Sequence, residues 1–128
     1  MNSTLIERNV FTPETFPQAT LEFAVKDRGH LIVIQVRGEA TCDLAGDLDE
    51  RVRSSLKPGT QFVVLDLAGL TLIGPTALAM LADISRDLSR KGGEVWLAGL
   101  QPAVWLALHD AGLDRLFTIR SSLAEALA

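Results

Sequence analysis

The sequence predicts an α/β fold: a mixed β-sheet of four to five strands packed with about four helices. Short apolar or β-branched runs alternate along the chain with segments whose apolar residues recur every three to four positions. Glycine and proline separate many of these segments. Strands that alternate with helices are typical of βαβ crossovers, so we expect a mostly parallel sheet with helices on at least one face.

The composition narrows the class of protein. The 128 residues suffice for one domain whose core needs no disulfide or metal. With 48% hydrophobic and 22% charged residues, the chain does not resemble a disordered protein. The net charge of −4 and the absence of a Lys/Arg cluster argue against a nucleic-acid partner.

The cellular compartment is indicated by three further features. The single cysteine, Cys42, cannot form an internal disulfide or a zinc site, which fits a reducing compartment. Glu7 and Arg8 interrupt the first residues, which therefore lack the pattern of a secretion signal. No apolar run approaches the ~18 residues of a membrane-spanning helix. We expect a cytoplasmic protein without direct membrane insertion.

The chain divides into an N-terminal arm, residues 1–20, and a domain, residues 21–128. The arm contains two prolines and shows no sustained period. The domain opens with "LEFAV", a turn around Gly29 and the β-branched run "LIVIQV", which together predict a hairpin. Gly38 is expected to end its second strand.

The first two helices flank a buried strand. "DLAGDLDERVRSSL" predicts a helix with Asp43 as N-cap, and "QFVVLDL" predicts a strand buried on both faces. Pro75 then begins a helix that runs to about Arg90, since proline suits the first helical position. Its predicted inner stripe is Ala77, Leu81, Ile84 and Leu88, and its solvated face, with i, i+4 ion pairs, is Asp83, Arg86, Asp87 and Arg90.

The last third of the domain predicts strand, helix, edge strand and short helix. "EVWLAG" is the strand, and the helix runs from Pro102 to Ala111, closed by Gly112. "LFTIR" predicts an edge strand, and "SSLAEALA" a final helix capped by Ser121 or Ser122.

The helix from Pro102 also suggests an interface. Its predicted inward stripe is Val104, Ala107, Leu108 and Ala111, which turns Trp105 and Leu106 outward. Exposed apolar pairs of this kind mark contact surfaces. The alternative is that Val10 and Phe11 of the arm cover them. A homodimer is one partner that the pair would allow.

Catalytic and metal-binding signatures are absent from the sequence. It contains no Walker-type glycine loop, G-x-S-x-G, H-E-x-x-H or G-x-G-x-x-G motif. His30 and His109 are isolated from any ligand cluster, and Cys42 is expected to be a small buried hydrophobe. These observations favour a binding module that needs no cofactor over an enzyme.

Three stretches resemble segments of the STAS domains of sulfate transporters and anti-sigma factor antagonists, and they follow one another along the chain in the same order as in that family. "VVLDLAGLTLIGPTALAML" resembles the family segment "DLSGVTFIDSSGL" that leads into the second helix. "KGGEVWLAGLQPAVWLALHDAGLDRLF" resembles a glycine turn and strand followed by "PAVRRVLELTGLDRLF", and "VRGEATCDL" resembles "LSGELDLAT". The resemblance extends from about Leu21 to Leu127.

The resemblance implies a function and a set of residues. Such antagonists bind an anti-sigma factor with a kinase-type ATP-binding domain and thereby release its sigma factor. The family's phosphoacceptor position falls on Thr76; the alternative is that this threonine only satisfies backbone donors in the first turn of the helix. The implied partner-binding residues lie in the loop after Gly38 and at the start of the second helix: Thr41, Asp43, Gly74, Pro75, Thr76, Ala77 and Met80.

The sequence departs from the family pattern around the acceptor. Gly74 replaces an acidic residue, Pro75 a serine, Ala77 a glycine, and Thr41 the aspartate of the earlier loop. Two other functions therefore stay open. One is a STAS-like structural subunit of a transporter or signalling assembly that is not phosphorylated. The other is a sensor that binds a small ligand beside the second helix.

Overall fold

The computed structural model describes residues 18–128, which form a five-stranded mixed sheet with four α-helices. The predicted fold class is confirmed. Residues 1–17, most of the predicted arm, lie outside the described residues. The elements in chain order are β1 (Leu21–Arg28), β2 (Leu31–Ala40), a 3₁₀ turn (Cys42–Leu44), α1 (Ala45–Ser55), β3 (Phe62–Ile73), α2 (Pro75–Arg90), β4 (Glu94–Ala98), α3 (Pro102–Asp110), a 3₁₀ turn (Asp114–Leu116), β5 (Thr118–Arg120) and α4 (Leu123–Leu127).

The strands lie in sequence order across the sheet. β1 and β2 form the predicted antiparallel hairpin, whereas the pairs β2–β3, β3–β4 and β4–β5 are parallel. Each parallel pair is joined by a crossover that contains one α-helix. The first and third crossovers also contain a 3₁₀ turn, before α1 and before β5. The carboxyl ends of β2 to β5 therefore face one edge of the sheet, here called the carboxyl edge, and their amino ends face the amino edge.

The core lies mainly on one face of the sheet. Helices α1, α2 and α3 pack there against buried strand residues such as Ile34 and Leu65, both 0% exposed. The other face carries a smaller cluster in which α4 covers part of β3 and β4; its members are Leu31, Val33, Val64, Trp96, Ala98, Leu123 and Ala126. The largest hydrophobic contribution to stability therefore comes from the three-helix face.

Helix α2 confirms the predicted stripe. Pro75 occupies its first turn, and the four predicted inner residues are each at most 4% exposed. The ion pairs on its outer face differ from the prediction because they are i, i+3 pairs: Arg86–Asp83 at 3.5 Å and Arg90–Asp87 at 2.7 Å. The same Asp87 also pairs with Arg53 of α1 at 2.8 Å.

Gly38 does not end β2, which continues to Ala40. The ladder between β2 and β3 shifts register on both sides of Gly38, as expected at β-bulges. Gly38 has φ +114°, and a Cβ there would overlap the carbonyl oxygen of Thr20. Glycine is needed at this position because of the bulge and the close approach of the chain, not because the strand stops.

Three local predictions were also wrong. Asp43 is not an N-cap, because the chain makes a 3₁₀ turn first and α1 begins after Leu44 without a side-chain cap. Ala111 is exposed, since α3 ends at Asp110. Cys42 is exposed rather than buried. The final helix, in contrast, is capped as predicted: Ser122 Oγ accepts from the Glu125 N–H at 3.1 Å.

Candidate functional site

The ends of β2 and β3 lie side by side at the carboxyl edge. Ala40 is paired with Ile73, and the Gly74 N–H donates to the Ala40 carbonyl at 2.8 Å. A Cβ on Gly74 would lie in ordinary contact with the backbone at Ala40, 3.6 Å away, and at Cys42, 3.7 Å away. The strand pairing therefore brings together the two segments that the sequence singled out. We call residues 41–43 and 74–76 the docking surface.

Cys42 and Thr76 connect the two segments of the docking surface. The Cys42 Sγ and the Thr76 Oγ1 lie 3.1 Å apart, within hydrogen-bonding distance for sulfur. The Cys42 side chain is exposed and Thr76 is half-buried. The 3₁₀ turn after β2 places the thiol against the first turn of α2, a contact between residues 34 positions apart that no local pattern predicts. The Thr76 hydroxyl is thus partly accessible and lies in contact with the Cys42 thiol.

The first turn of α2 leaves backbone donors without intrahelical acceptors. Gly74 is the N-cap, with extended geometry and no side-chain cap, and the first intrahelical bond is Leu78 N–H to the Gly74 carbonyl at 3.0 Å. Pro75 lacks an N–H, so the N–H groups of Thr76 and Ala77 are the two that lack an intrahelical acceptor. No acidic residue lies in this turn. The helix dipole and these donors favour negative charge at Thr76.

The predicted partner-binding residues differ in their exposure to solvent. Thr41, Asp43, Gly74, Pro75 and Thr76 lie wholly or partly at the surface. Their role in binding stays a prediction.

Two members of the predicted set pack inward. Met80 is half-buried against the core. Ala77 is 0% exposed, so its side chain belongs to the core of the molecule and does not reach the docking surface. The i, i+4 spacing from Ala77 to Leu81 on the inner stripe explains its burial.

Leu72 is an exposed apolar residue beside the docking surface that the sequence reasoning missed. It is 42% exposed and pairs with Glu39 near the carboxyl ends of β3 and β2. β3 continues well beyond the predicted "QFVVLDL". In this extension Leu67, Leu70 and Ile73 are buried, whereas Thr71 and Leu72 are exposed. The three buried residues recur every three positions, which is not the two-residue period of a strand, so no local pattern indicated this extension.

Trp105 and Leu106 are exposed as predicted, at 40% and 56%. The Trp105 indole stacks on the His109 ring with centroids 5.4 Å apart. Trp105 also borders a shallow cavity with Leu100 and Ile119. The alternative, cover by Val10 and Phe11, concerns residues outside those described.

Residues 18–128 contain neither a metal-binding cluster nor a membrane-spanning helix. No group of three or more His, Cys, Asp or Glu residues there is arranged to hold a metal ion. None of the helices in this part of the chain has the length and apolar character that crossing a membrane requires.

Residues 22–126 match the STAS domain. The chain belongs to the STAS domain family. Among solved structures, this STAS domain is similar to an anti-sigma factor antagonist from Mycobacterium paratuberculosis. The two are 25% identical, with a TM-score of 0.75 over 84% of this chain and 92% of that one.

Two further structures share the fold at lower identity. The anti-sigma factor antagonist SpoIIAA of Bacillus is 15% identical, with a TM-score of 0.71 over 83% of this chain and 93% of that one. A sulfate transporter family protein from Wolinella succinogenes is 16% identical, with a TM-score of 0.67 over 77% of this chain and 82% of that one. The fold thus occurs in both antagonists and transporter-related proteins.

Proposed function

We propose that this STAS domain is an anti-sigma factor antagonist that binds an anti-sigma factor with a kinase-type ATP-binding domain. Binding would sequester that factor and release its sigma factor for transcription. The observation that carries the proposal is the contact between the two segments of the docking surface, through the Gly74–Ala40 hydrogen bond and the Cys42–Thr76 contact. The similarity to two antagonist structures supports the same role.

In this proposal Thr76 is the switch. Its hydroxyl oxygen would attack the γ-phosphorus of ATP bound by the partner, ADP would leave, and the hydroxyl proton would pass to the partner. The phosphate would add about −1.5 to −2 charges at the centre of the docking surface. The free N–H groups at the start of α2 would hold it. Docking would then be favoured before phosphorylation and opposed after it, because the surface changes charge.

In this role the chain itself needs no catalytic group. The partner supplies both ATP and the catalytic groups, so the domain of residues 21–128 acts as a cytoplasmic binding module without a cofactor. A folded surface that presents one hydroxyl is sufficient.

A second candidate function is a structural STAS subunit of a transporter or signalling assembly, bound through the same surface but not phosphorylated. The start of α2 favours it, because Gly74 stands where the family carries an acidic residue before the phosphoacceptor, and no carboxylate lies in the first turn. The similarity to a sulfate transporter family protein is consistent with it.

The test is an affinity pull-down from candidate anti-sigma factors and transporter ATPase subunits, followed by incubation of any complex with ATP. We expect a complex with an anti-sigma factor and one phosphoryl group on the wild type. Thr76→Ala should remove the phosphoryl group. Thr60→Ala is the matched control, because Thr60 lies in the turn before β3 at the amino edge, and it should be modified like the wild type.

Each remaining outcome has a defined meaning. A complex without phosphoryl transfer would keep the docking role and remove the switch. A complex with an ATPase subunit alone would favour the structural subunit. No complex with any anti-sigma factor would contradict the proposal.

A further inference from the structure

The outer side of β1 is open in the described part of the chain. β1 forms one edge of the sheet, and within residues 18–128 it pairs with β2 only. Residues 24–28 of this strand are all exposed, and they include the apolar Val25, which is 39% exposed. An edge strand of eight residues presents a row of backbone donors and acceptors to which another chain can pair.

The hairpin fixes which backbone groups of β1 point outward. Its turn has two residues, so Arg28 and Leu31 form the hydrogen-bonded pair that closes it. Because hydrogen-bonded and non-hydrogen-bonded pairs alternate, the even-numbered residues of β1 bond to β2 and the odd-numbered residues direct their N–H and C=O groups outward. The 2.9 Å hydrogen bond from the Glu39 N–H to the Thr20 carbonyl follows the same alternation.

The side chains of β1 are divided between the two faces of the sheet. Val25 lies opposite Ile34, which belongs to the core under the helices, so Val25 and Phe23 point to that face. Glu22 and Lys26 point to the other face, and both are exposed. Each face of the strand thus carries two side chains that complement one another: an apolar pair on one face and opposite charges on the other.

We infer that two copies of this chain pair antiparallel through β1, with Ala24 on the two-fold axis, so that two five-stranded sheets become one continuous sheet. In this register Phe23 lies opposite Val25 of the second copy, and Glu22 lies opposite Lys26 of the second copy. Because the axis repeats each contact, the pairing forms two apolar pairs and two ion pairs. The odd-numbered residues supply the backbone hydrogen bonds.

Backbone and side chains together select this register. Odd-numbered residues must face odd-numbered residues of the other copy, so the axis passes through a residue and not between two. An axis through Val25 would set the Phe23 ring against the Asp27 carboxylate, and an axis through Lys26 would set two ammonium groups against each other. The register centred on Ala24 avoids both contacts.

The central lysine makes the edge selective. A lysine on an exposed edge strand normally opposes pairing with another chain. Here the same strand supplies a carboxylate at the position that would face it, so Lys26 opposes other strands and accepts a second copy. An axis through Phe23 would pair apolar side chains but leave Lys26 without Glu22, and it would lose this selectivity.

The test is sedimentation equilibrium of the full chain at low salt, over about 1 μM to 1 mM. A single pair of edge strands is a small interface, so we expect a reversible monomer–dimer equilibrium in the micromolar range that weakens as salt is added. Glu22→Lys and Lys26→Glu should each weaken it about tenfold or more, because two attractions become two repulsions. An equimolar mixture of the two variants should recover the dimer, since every facing pair then has opposite charges.

Lys91→Glu is the matched control, because it makes the same change of charge at the exposed end of α2. It should associate like the wild type. Thermal melting of each variant distinguishes a loss of pairing from a loss of folding, and recovery in the mixture does so independently.

Two results would overturn the inference. One is a full chain that stays monomeric over the whole range, which would leave the edge open or covered by residues 1–17. The other is a dimer that is equally stable in the wild type and in both charge variants of β1. Such a dimer would use another surface, for example Trp105 and Leu106. The association is measured without the anti-sigma factor, so its outcome does not depend on the proposed function.

Discussion

The two halves of β3 differ in their surroundings. The first half, Phe62–Asp66, lies between β2 and β4, and its central residues Val63, Val64 and Leu65 are at most 2% exposed. The second half, Leu67–Ile73, extends beyond the end of β4 and pairs in the described chain with β2 only. Its residues Ala68, Gly69, Thr71 and Leu72 are exposed. The first half of β3 is thus buried in the centre of the sheet, whereas the second half presents exposed residues at the carboxyl edge.

The difference shows how stability and recognition are separated in this fold. The first half contributes buried apolar area on both faces, while the second half alternates buried residues (Leu67, Leu70 and Ile73) with exposed ones and leads to Gly74 and Thr76. Substitutions of buried residues should therefore change the free energy of unfolding, and substitutions of the exposed residues of the second half should change partner binding. The following predictions test that separation, from the largest expected effect to the smallest.

Leu65→Ala should lower the free energy of unfolding by about 2–5 kcal/mol, because it leaves a cavity at a fully buried position. The matched change in the second half is Leu72→Ala, which should alter it by no more than about 0.5 kcal/mol. Urea denaturation of both variants measures the contrast. Similar losses in the two variants would show that the halves are not energetically distinct.

Thr76→Glu should weaken binding of the anti-sigma factor by about tenfold or more, equivalent to about 1.4 kcal/mol, because it places a negative charge on the docking surface. Equilibrium binding measures the effect. Ser54→Glu, on the exposed side of α1, adds the same charge elsewhere and should bind like the wild type. If both variants lose affinity equally, net charge rather than location is responsible.

Leu72→Ser should weaken the same binding by about fivefold, or about 1 kcal/mol, if this side chain is an apolar anchor beside Thr76. The chain offers a matched control in Val25→Ser, since Val25 is 39% exposed but lies on β1. The control should retain full affinity. An unchanged Kd for the Leu72 variant would remove β3 from the interface.

Replacing Trp105 and Leu106 together by serine should lower the free energy of unfolding by less than Leu65→Ala does, because both side chains are partly exposed, at 40% and 56%. Under the proposal that they form a second interface, the change should reduce self-association or partner affinity. Sedimentation measures the first and equilibrium binding the second. No change in either would dismiss the second interface.

The smallest effect concerns Asp87, whose pKa lies below its ordinary value of 3.8, chiefly because Arg53 hydrogen-bonds to its carboxylate. A lowered folded-state pKa stabilises the protein above pH 3.8, and this contribution is lost as the pH falls through the folded-state value. Arg53→Gln should raise the pKa of Asp87 in an NMR titration of its carboxyl group. The stability difference between the two proteins should shrink in acid. An unshifted pKa would contradict this assignment.

The sequence predicted the features that depend on local period and missed those that depend on which loops meet. The stripe of α2 follows from helical spacing, and Pro75 marks its start, so both were predictable. The exposure of Cys42 and its contact with Thr76 depend on the pairing of β2 with β3, including the bulges around Gly38. This register joins residues that are far apart in the sequence, so it cannot be predicted from the spacing of residues within either strand.

The prediction of Asp43 as an N-cap was wrong because the path of the chain after β2 also cannot be predicted from local spacing. Aspartate before an apolar period is a sound N-cap signal, yet the chain leaves β2 through a 3₁₀ turn, which delays the start of α1 to Ala45. The extension of β3 to Ile73 was missed because its apolar residues no longer form a continuous run. The scaffold was thus predictable, whereas the arrangement of the docking surface required the structure.

The most direct measurement uses Cys42, the one thiol in the chain, as a reporter within the docking surface. The rate of its reaction with an aromatic disulfide reagent would be followed with and without the anti-sigma factor, in a complex verified by sedimentation. If the partner covers residues 41–43 and 74–76, the reaction should slow in proportion to the fraction bound. An unchanged rate at full occupancy would place the partner elsewhere and contradict the account.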